Sequence, residues 1–587
     1  MENKRLGSIA HQDQEDIAIE LGKRQREIGV AEFFSRNRHL LGFDNKKKAI
    51  LTTVKEAVDN SLDACEEADI LPEIIIEIIE MGPDRYRVMV EDNGPGIVKE
   101  QIPNIFAKLL YGSKFHTFKM SRGQQGIGIS ASVMYGQLTT GRPARITSKI
   151  ASKRTAEYVE LILDTQKNAP KILKSEQVEW KKEHGTRVEI DLEATYTKGS
   201  QSVDEYLKLT AITNPHATII YTNPKAEQLI FARATEHLPV KPQPIKPHPY
   251  GVEIGVMINM LHASEHRTLQ AFLTDEFSRV GADTAKKICE AARLLPTTKP
   301  RDMSREQADA LMNGIKQVKI ISPPTDCVSP IGADALEKGL RKEVNAEFYS
   351  SVSRPPSVYR GNPFIIEAAI AYGGEQSSDQ VSTVLRFANR VPLLYQQGAC
   401  AVTRSIIKTN WKPYGLQQSQ TSIPVGPITI LVHIASVWVP FTSESKEAIA
   451  HYSEIIKEIR LALQECGRKL SLYINKKKRI AGEGKKRSYI ETYIPHVAEA
   501  LVELAELQKS DDVKIKEMLK EILEQHRGEL EDIEFDPEEN AEYDEEMANI
   551  GKKQKRSRSA GEESQKGSKE QSKEGSEQEE ELDDNED

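Results

Sequence analysis

Cysteine is scarce in this chain, with five residues (Cys65, Cys289, Cys327, Cys400 and Cys466) in 587. They are far apart, odd in number and form no CxxC pair, which argues against a disulfide framework and against a cysteine-held zinc. Aromatic residues make up only 6%. No stretch approaches the roughly 20 consecutive apolar residues of a membrane helix. The opening MENKRLGSIAHQDQEDIAIE lacks the apolar centre of a signal peptide. A GxxxxGK[ST] phosphate loop is also missing. These absences lead us to expect an intracellular protein outside the membrane, disulfide-scaffold and P-loop classes. What is present is 38% hydrophobic and 29% charged residue content. That suffices for several soluble cores, roughly three to four domains at this length.

The formal charge of −9 is unevenly spread. From Glu529 to Asp587 there are 23 acidic and 8 basic residues, a local −15, so the preceding residues carry +6. A mildly basic body permits contact with nucleic acid without requiring it. Residues 528–587 are poor in apolar side chains and rich in Glu, Ser, Lys and Gln. This composition predicts disorder, because too little surface can be buried to offset the ordering entropy.

Ahead of that tail, apolar residues at helical spacing in ETYIPHVAEALVELAELQ and SDDVKIKEMLKEILEQH predict two terminal helices. Asn475 to Arg487, NKKKRIAGEGKKR, reads as a basic, glycine-containing connector. HLPVKPQPIKPHPYG reads as a semi-rigid spacer, followed by a helical module: VEIGVMINMLHAS, HRTLQAFLTDEF and DTAKKICEAARLL. Elsewhere the pattern is mixed α/β. RVMVEDN, RVEIDL and ITILVHIASVWVPF read as strands, and AIAHYSEIIKEIRLALQECGRKLSLYI as a long amphipathic helix.

Three segments carry chemistry. In the first, Glu56, Asn60 and Asp63, followed by Ala64, are spaced four and three apart in a helical stretch beginning near Lys48. Their side chains therefore share one face, where a carboxylate and a carboxamide could activate water and hold Mg²⁺; an exposed polar face is the plainer alternative. The second, Glu91-Asp92-Asn93-Gly94-Pro95-Gly96, follows a strand. Its glycines admit close approach of a ligand, and Asp92 can accept a hydrogen bond from an exocyclic amine; an ordinary turn is the alternative. The third, Gly123-Gln124-Gln125-Gly126-Ile127-Gly128-Ile129-Ser130, precedes a helix and makes a phosphate cradle of backbone amides.

In this order, about 30 residues apart, the three segments resemble the boxes of the GHKL ATPase superfamily, which includes gyrase, Hsp90, MutL and the histidine kinases. His184-Gly185-Thr186 resembles the fourth box. The resemblance implies an α/β fold, the α+β sandwich of the Bergerat type, with ATP and Mg²⁺ as ligands. It implies Glu56 as general base, Asn60 as Mg²⁺ ligand and Asp92, with Gly94 and Gly96, as the reader of adenine. Thr186 would support the adenine side. Residues 102–126 would form an ATP lid, with Ser113 and Lys114 reaching the nucleotide. Arg122, Gly123, Gln124, Gln125, Gly126, Ile127, Gly128 and Ile129 would wrap the triphosphate.

AEFFSRNRHLLGFDN, RFANRVPLLYQQGACAV, VPFTSESKEAIA and YIETYIPHVAEAL, with FSRVGADTAKKI of the helical module, are similar to the B subunits of archaeal type IIB DNA topoisomerases over about 500 residues. This implies a strap at 1–30, an ATPase domain at 31–235, a helix-two-turns-helix module at 236–305, and a transducer at 306–488. Helices docking an A subunit would occupy 489–527, and the disordered acidic tail 528–587. Lys446, between a strand and a helix, matches the family's switch lysine, which reaches the γ-phosphate; a surface lysine is the plainer reading. His262-Ala-Ser-Glu265-His266 formally matches an HxxEH metal motif, but no third ligand is evident and the family is not a zinc enzyme. The EGDSA-type and DQHA(x)₂E(x)₄E motifs are missing, so cleavage is assigned to the A subunit. The implied assembly is an A2B2 heterotetramer in which the B subunits close on ATP. It would contact double-stranded DNA through the backbone and lie in the cytoplasm with the nucleoid, with no membrane partner. The main rival is a MutL-type mismatch-repair clamp; the module between Glu236 and Pro300 argues against it. An Hsp90-like chaperone and a histidine kinase are more distant alternatives.

Overall fold

The computed structural model describes residues 19, 21–25, 27–113, 117–123, 126–443, 445–505, 508 and 511–527, with the Glu483 side chain excepted. The tail at 528–587 and most of the expected strap thus lie outside the described residues. The chain divides into two compact units, Met1–Leu472 and Tyr473–Asp587.

The first unit begins with α1 (Val30–Arg36) and α2 (Lys46–Glu67), then β1 (Glu73–Gly82), β2 (Arg85–Glu91) and α3 (Ile102–Ala107). After these come α4 (Gly128–Thr140), β3 (Ala144–Lys149), β4 (Ala156–Asp164), β5 (Ala169–Val178), β6 (Gly185–Glu193), α5 (Val203–Thr213), β7 (Thr218–Thr222) and β8 (Gln228–Phe231). The eight strands form one sheet in the order β5-β4-β3-β6-β2-β1-β7-β8, antiparallel except for β1 with β7. Period-2 alternation in EIIIEIIE buries Ile74, Ile76 and Ile78. These meet Val54, Val58 and Leu62 of α2 in one core with α4 and α5. Helices thus cover one face of the sheet, as the α+β sandwich requires.

A cluster of four helices follows: α6 (Ile254–Ala263), α7 (Leu269–Glu276), α8 (Ala282–Ala291) and α9 (Arg305–Gln317). The expected module boundary at 305 is corrected here. Ala308, Leu311 and Ile315 of α9 are buried in the same core as Leu261, Phe272 and Ile288, so the module extends through α9. His262 Nε2 bonds to the Met303 carbonyl (3.2 Å) and His266 Nε2 to Glu276 (3.2 Å). Among the described residues no group of three His, Cys, Asp or Glu side chains is arranged to hold a metal.

The second α/β domain contains α10 (Ala333–Glu343), β9 (Phe348–Ser353), β10 (Ser357–Tyr359), β11 (Asn362–Tyr372), β12 (Thr383–Ala388), β13 (Val391–Pro392), α11 (Ala401–Lys408) and β14 (Ile428–Ser436). Its sheet runs β10-β11-β14-β12-β13, with β9 also on β11 and with β12 parallel to β14. The near-continuous burial of β11 and β14 marks strands covered on both faces.

α12 spans Ser453–Leu504 and α13 Asp511–Arg527. The expected connector at Asn475 to Arg487 is corrected: one 52-residue helix runs through it. Two glycines weaken a helix by about 1 kcal/mol each. The flanking Lys, Arg, Ala and Glu residues are strong helix formers, and propagation from an existing helix avoids the nucleation cost. Up to Leu472 the helix buries Ile455, Ile459, Leu463, Cys466 and Leu470. In the second unit it exposes Tyr489, Ile490, Tyr493, Val497 and Leu501. All five cysteines are free and buried, and no described helix is long and apolar enough to cross a membrane.

Candidate functional site

The site is assembled around α2. Asn45 caps its start by accepting from the Lys48 N–H (2.9 Å). With Val54, Val58 and Leu62 in the core, the opposite face carries Glu56, half-buried, and Asn60, exposed.

At one end, β2 delivers Asp92 beside α2. Asp92 N–H donates to the Thr186 carbonyl (2.9 Å). Its carboxylate accepts from Gly94 N–H (2.9 Å) and Thr186 N–H (3.1 Å) on one oxygen and from the Ser61 hydroxyl (2.9 Å) on the other. Burial pushes the Asp92 carboxyl above its ordinary range, and these three donors oppose that shift. The Thr186 and Ser148 hydroxyls lie 3.0 Å apart, and His184 Nδ1 reaches the Gly94 carbonyl at 2.8 Å. Gly96 has φ +77°, and a Cβ there would overlap the Lys149 carbonyl. The result is an oriented carboxylate acceptor with lone pairs to spare, at the floor of a tightly packed corner.

At the other end, α4 begins at Gly128 after Ile127, with no side-chain cap. Its first N–H groups are therefore available to an anion. A Cβ at Gly128 would overlap the Glu56 carboxylate, so only glycine lets the helix start and the acid meet. The Cβ position of Gly123 is 3.8 Å from Asn60 Oδ1. Gly126 takes φ +58°. The Ile127 carbonyl anchors the first turn by accepting from Ala131 N–H and Ser130 Oγ, and Ile129 is buried beneath. Glu56, Asn60, Gly123 and Gly128 are thus brought together. Ser113 is exposed, while Lys114, Gln124 and Gln125 lie outside the described residues.

Arg122 is placed differently from the expectation. Its buried guanidinium is spent on Asp63 (2.7 Å), both oxygens of Glu66 (2.6 and 2.9 Å) and Asn214 Oδ1 (2.5 Å). It faces α2 and the end of α5 rather than the glycine-rich cradle. The charges of Glu66 and Asp63 oppose the cost of burying the guanidinium there. Asp63, expected on the same face as Glu56, is accordingly a partner of Arg122.

Lys446 sits on the loop between β14 and α12 with φ +54°. Its Nζ donates to the Arg122 carbonyl at 3.2 Å, in a cavity that it shares with Lys55, Glu56, Asp59 and Asn389. Burial pulls the Lys446 ammonium below the usual lysine range, opposed chiefly by the Glu56 charge. Asp59 in the same cavity accepts from the Tyr206 hydroxyl (2.9 Å), and burial pushes it up to about 6 against the pull of Lys55.

Sequence reasoning missed Ser61, Asn389 and Glu447. Lys48 of α2 pairs with Glu447 (2.5 Å), which also accepts from Gln396 (2.7 Å), so the residue after Lys446 is tied to the helix that carries Glu56. No local pattern signals these contacts, because each joins distant segments.

Residues 45–196 match the model described as the histidine kinase-, DNA gyrase B- and HSP90-like ATPase, and residues 323–486 that of the topoisomerase VI B subunit transducer. The chain is 51% identical over 496 residues to the B subunit of the type 2 DNA topoisomerase 6 of Methanococcoides burtonii, covering 84% of this chain and 80% of that protein. The corresponding protein of Archaeoglobus fulgidus is 47% identical over 484 residues, covering 82% and 80%. That of Pyrococcus horikoshii is 37% identical over 573 residues, covering 89% and 99%.

Proposed function

Because the chain belongs to the family of type 2 DNA topoisomerase 6 B subunits, we propose that it is the component that binds and hydrolyses ATP to drive duplex passage, while a partner A subunit cuts the DNA. The observation that carries this reading is the cavity in which Lys446, from the second α/β domain, stands beside Glu56 of the ATPase domain. A site completed only when two domains meet can convert nucleotide chemistry into domain motion.

Asp92 reads the adenine amine, supported by Thr186 and Ser61, with Gly94 and Gly96 keeping the corner clear. The free N–H groups at the start of α4, with Gly123, Gly126, Ile127 and Ile129, hold the triphosphate, and Gln124 and Gln125 belong to the same wrap. Ser113 and Lys114 are assigned to the lid. Glu56 polarises the attacking water. Asn60 supplies a single oxygen ligand, a donor set that suits Mg²⁺ held mainly by water and substrate phosphates; the ion neutralises phosphate charge when bound. Lys446 exchanges the Arg122 carbonyl for the γ-phosphate, because a buried ammonium gains more from a phosphate than from a neutral carbonyl. Catalysis is then positioning and electrostatic stabilisation.

The assembly is an A2B2 heterotetramer in the cytoplasm, associated with the nucleoid. ATP closes two B subunits, with residues 1–30 as the strap between them. The exposed Tyr489, Ile490, Tyr493, Val497 and Leu501 support residues 489–527 as the docking segment for the A subunit, and the helical module takes the helix-two-turns-helix role. DNA is held by its backbone and so with strong salt dependence. A MutL-type clamp is disfavoured because the relatives named above align across more than four-fifths of the chain.

The test is relaxation of positively and negatively supercoiled plasmid by this chain and its cognate A subunit. Relaxation that needs both proteins and ATP is expected. An associated pair that hydrolyses ATP without changing topology would overturn the topoisomerase assignment in favour of the clamp.

A further inference from the structure

Five consecutive residues, Phe118 to Arg122, form the root of the glycine-rich segment, and groups outside the ATPase sheet hold nearly all of them. The Phe118 carbonyl accepts from Ile245 N–H (3.1 Å), and Met120 N–H donates to the Cys327 carbonyl (2.8 Å). Met120 packs with Cys327, Ile365 and Ala435. The Ser121 carbonyl accepts from Asn389 Nδ2 (3.0 Å), and the next carbonyl, Arg122, accepts from Lys446 Nζ (3.2 Å). Two side chains of the second domain therefore grip consecutive carbonyls of the lid root.

Asn389 and Arg390 form the turn between β12 and β13. Both are non-glycine residues in the left-handed region, with φ +48° and +68°. They are the loop of a two-residue hairpin, with Ala388 paired to Val391, and positive φ at both loop positions is what a type I′ turn requires; Asn adopts it readily and Arg less so. Side chains and backbone around the turn fix its position. Asn389 exchanges hydrogen bonds with Ser436 (3.0 and 2.9 Å), and Arg390 N–H donates to His433 Nε2 (2.9 Å). The Arg390 guanidinium donates to the Ser329 hydroxyl (2.9 Å) and Pro330 carbonyl (3.1 Å) and stands 3.6 Å from Glu66. Its carbonyl accepts from Thr213 of α5 (2.8 Å). Behind it, His433 Nδ1 meets Glu367 (2.8 Å), which also accepts from the Ile331 and Gly332 N–H groups. The turn is thus braced by the second-domain sheet on one side and pressed against α2, α5 and the lid root on the other.

The geometry points to Asn389 as a positioning residue for ATP hydrolysis, held by the braced Asn389–Arg390 turn, that fixes the lid root against α2 independently of Lys446. This rests on the ATPase reading above. The two grips have different duties. Lys446 must release the Arg122 carbonyl to reach a phosphate, whereas Asn389 carries no charge and has no reason to leave Ser121. Asn389 therefore keeps Gly123 over Asn60 and Gly128 over Glu56 while the lysine moves. Without it the root is free to shift, and a 1 Å misplacement of a reacting constellation costs on the order of a hundredfold in rate.

The test uses the full chain and the variant Asn389→Asp, which keeps size and the acceptor for Ser436 N–H but can donate to neither the Ser121 nor the Ser436 carbonyl. The expected result is a fall in kcat of between about tenfold and a hundredfold, with affinity for a non-hydrolysable ATP analogue changed less than about threefold. Asn389→Asp combined with Lys446→Ala should lose less than the product of the two separate losses, since both act on one peptide segment. Arg390→Lys, which keeps the charge but not the fork, should reproduce the kcat loss more weakly. Unchanged kcat would overturn the proposal. So would kcat and analogue affinity falling in parallel with Tm, or strictly multiplicative losses in the double variant. Failure of the wild-type chain to hydrolyse ATP, or full activity in Glu56→Gln, would instead sink the underlying site assignment.

Discussion

The Asp92 corner, reached through Ser61, and the Glu56 cavity lie little more than one turn apart on the same helix and are built on opposite principles. Asp92 is held by Gly94, Thr186 and Ser61, all within one domain, by three hydrogen bonds of 2.9 to 3.1 Å. The Glu56 end needs the start of α4, the lid root and two second-domain side chains, Lys446 and Asn389. The Asp92 corner is complete within the ATPase domain, while the Glu56 cavity is lined by both domains. On the proposed function, nucleotide binding would then precede coupling, and hydrolysis would wait for the domains to meet.

The largest expected effect that separates the two ends comes from Glu56→Gln. ATP turnover should fall on the order of a hundred- to ten-thousand-fold, as for loss of a general base, with nucleotide affinity nearly unchanged in an equilibrium binding assay. Equal losses of both would erase the division of labour. Next comes Asp92→Asn. An amide there cannot satisfy all three donors, so affinity should fall by about 1–3 kcal/mol, roughly tenfold to a hundredfold. Turnover at saturating ATP should survive, and a collapse of kcat at saturation would mean that the corner also shapes the chemistry.

The smallest effect concerns Asp59, buried at the chemical end with its pKa raised to about 6. Folding then favours the protonated acid. The penalty for holding it charged is absent below about pH 4, grows as pH rises through about 6 and is complete above that. Asp59→Asn should raise Tm near about pH 8, with the gain fading toward about pH 4. A gain independent of pH in thermal melts would show that the carboxylate is not the source.

Much of the site can be read from spacing. Residues 56 and 60 share a helix face because 3.6 residues make a turn, and the glycines at 94, 96, 123, 126 and 128 mark close backbone approach. Arg122 cannot be read in this way. Its neighbours in sequence suggest the phosphate wrap, but Asp63, Glu66 and Asn214 claim its side chain. The segment at 475–487 departs from its local pattern for a related reason: its glycines weigh against a helix, but the outcome depends on an adjoining helix already formed and packed.

The sequence by itself determined the helix face of Glu56 and Asn60, the turn carrying Asp92 and the uncapped start of α4, because short-range sterics and hydrogen-bond periodicity act within a few residues. Only the tertiary structure decided that Lys446 and Asn389 grip neighbouring carbonyls of the lid root and that Arg122 turns inward. Those arrangements are set by burial. A charge or amide removed from water must find its partner wherever the packed core places one, however distant along the chain.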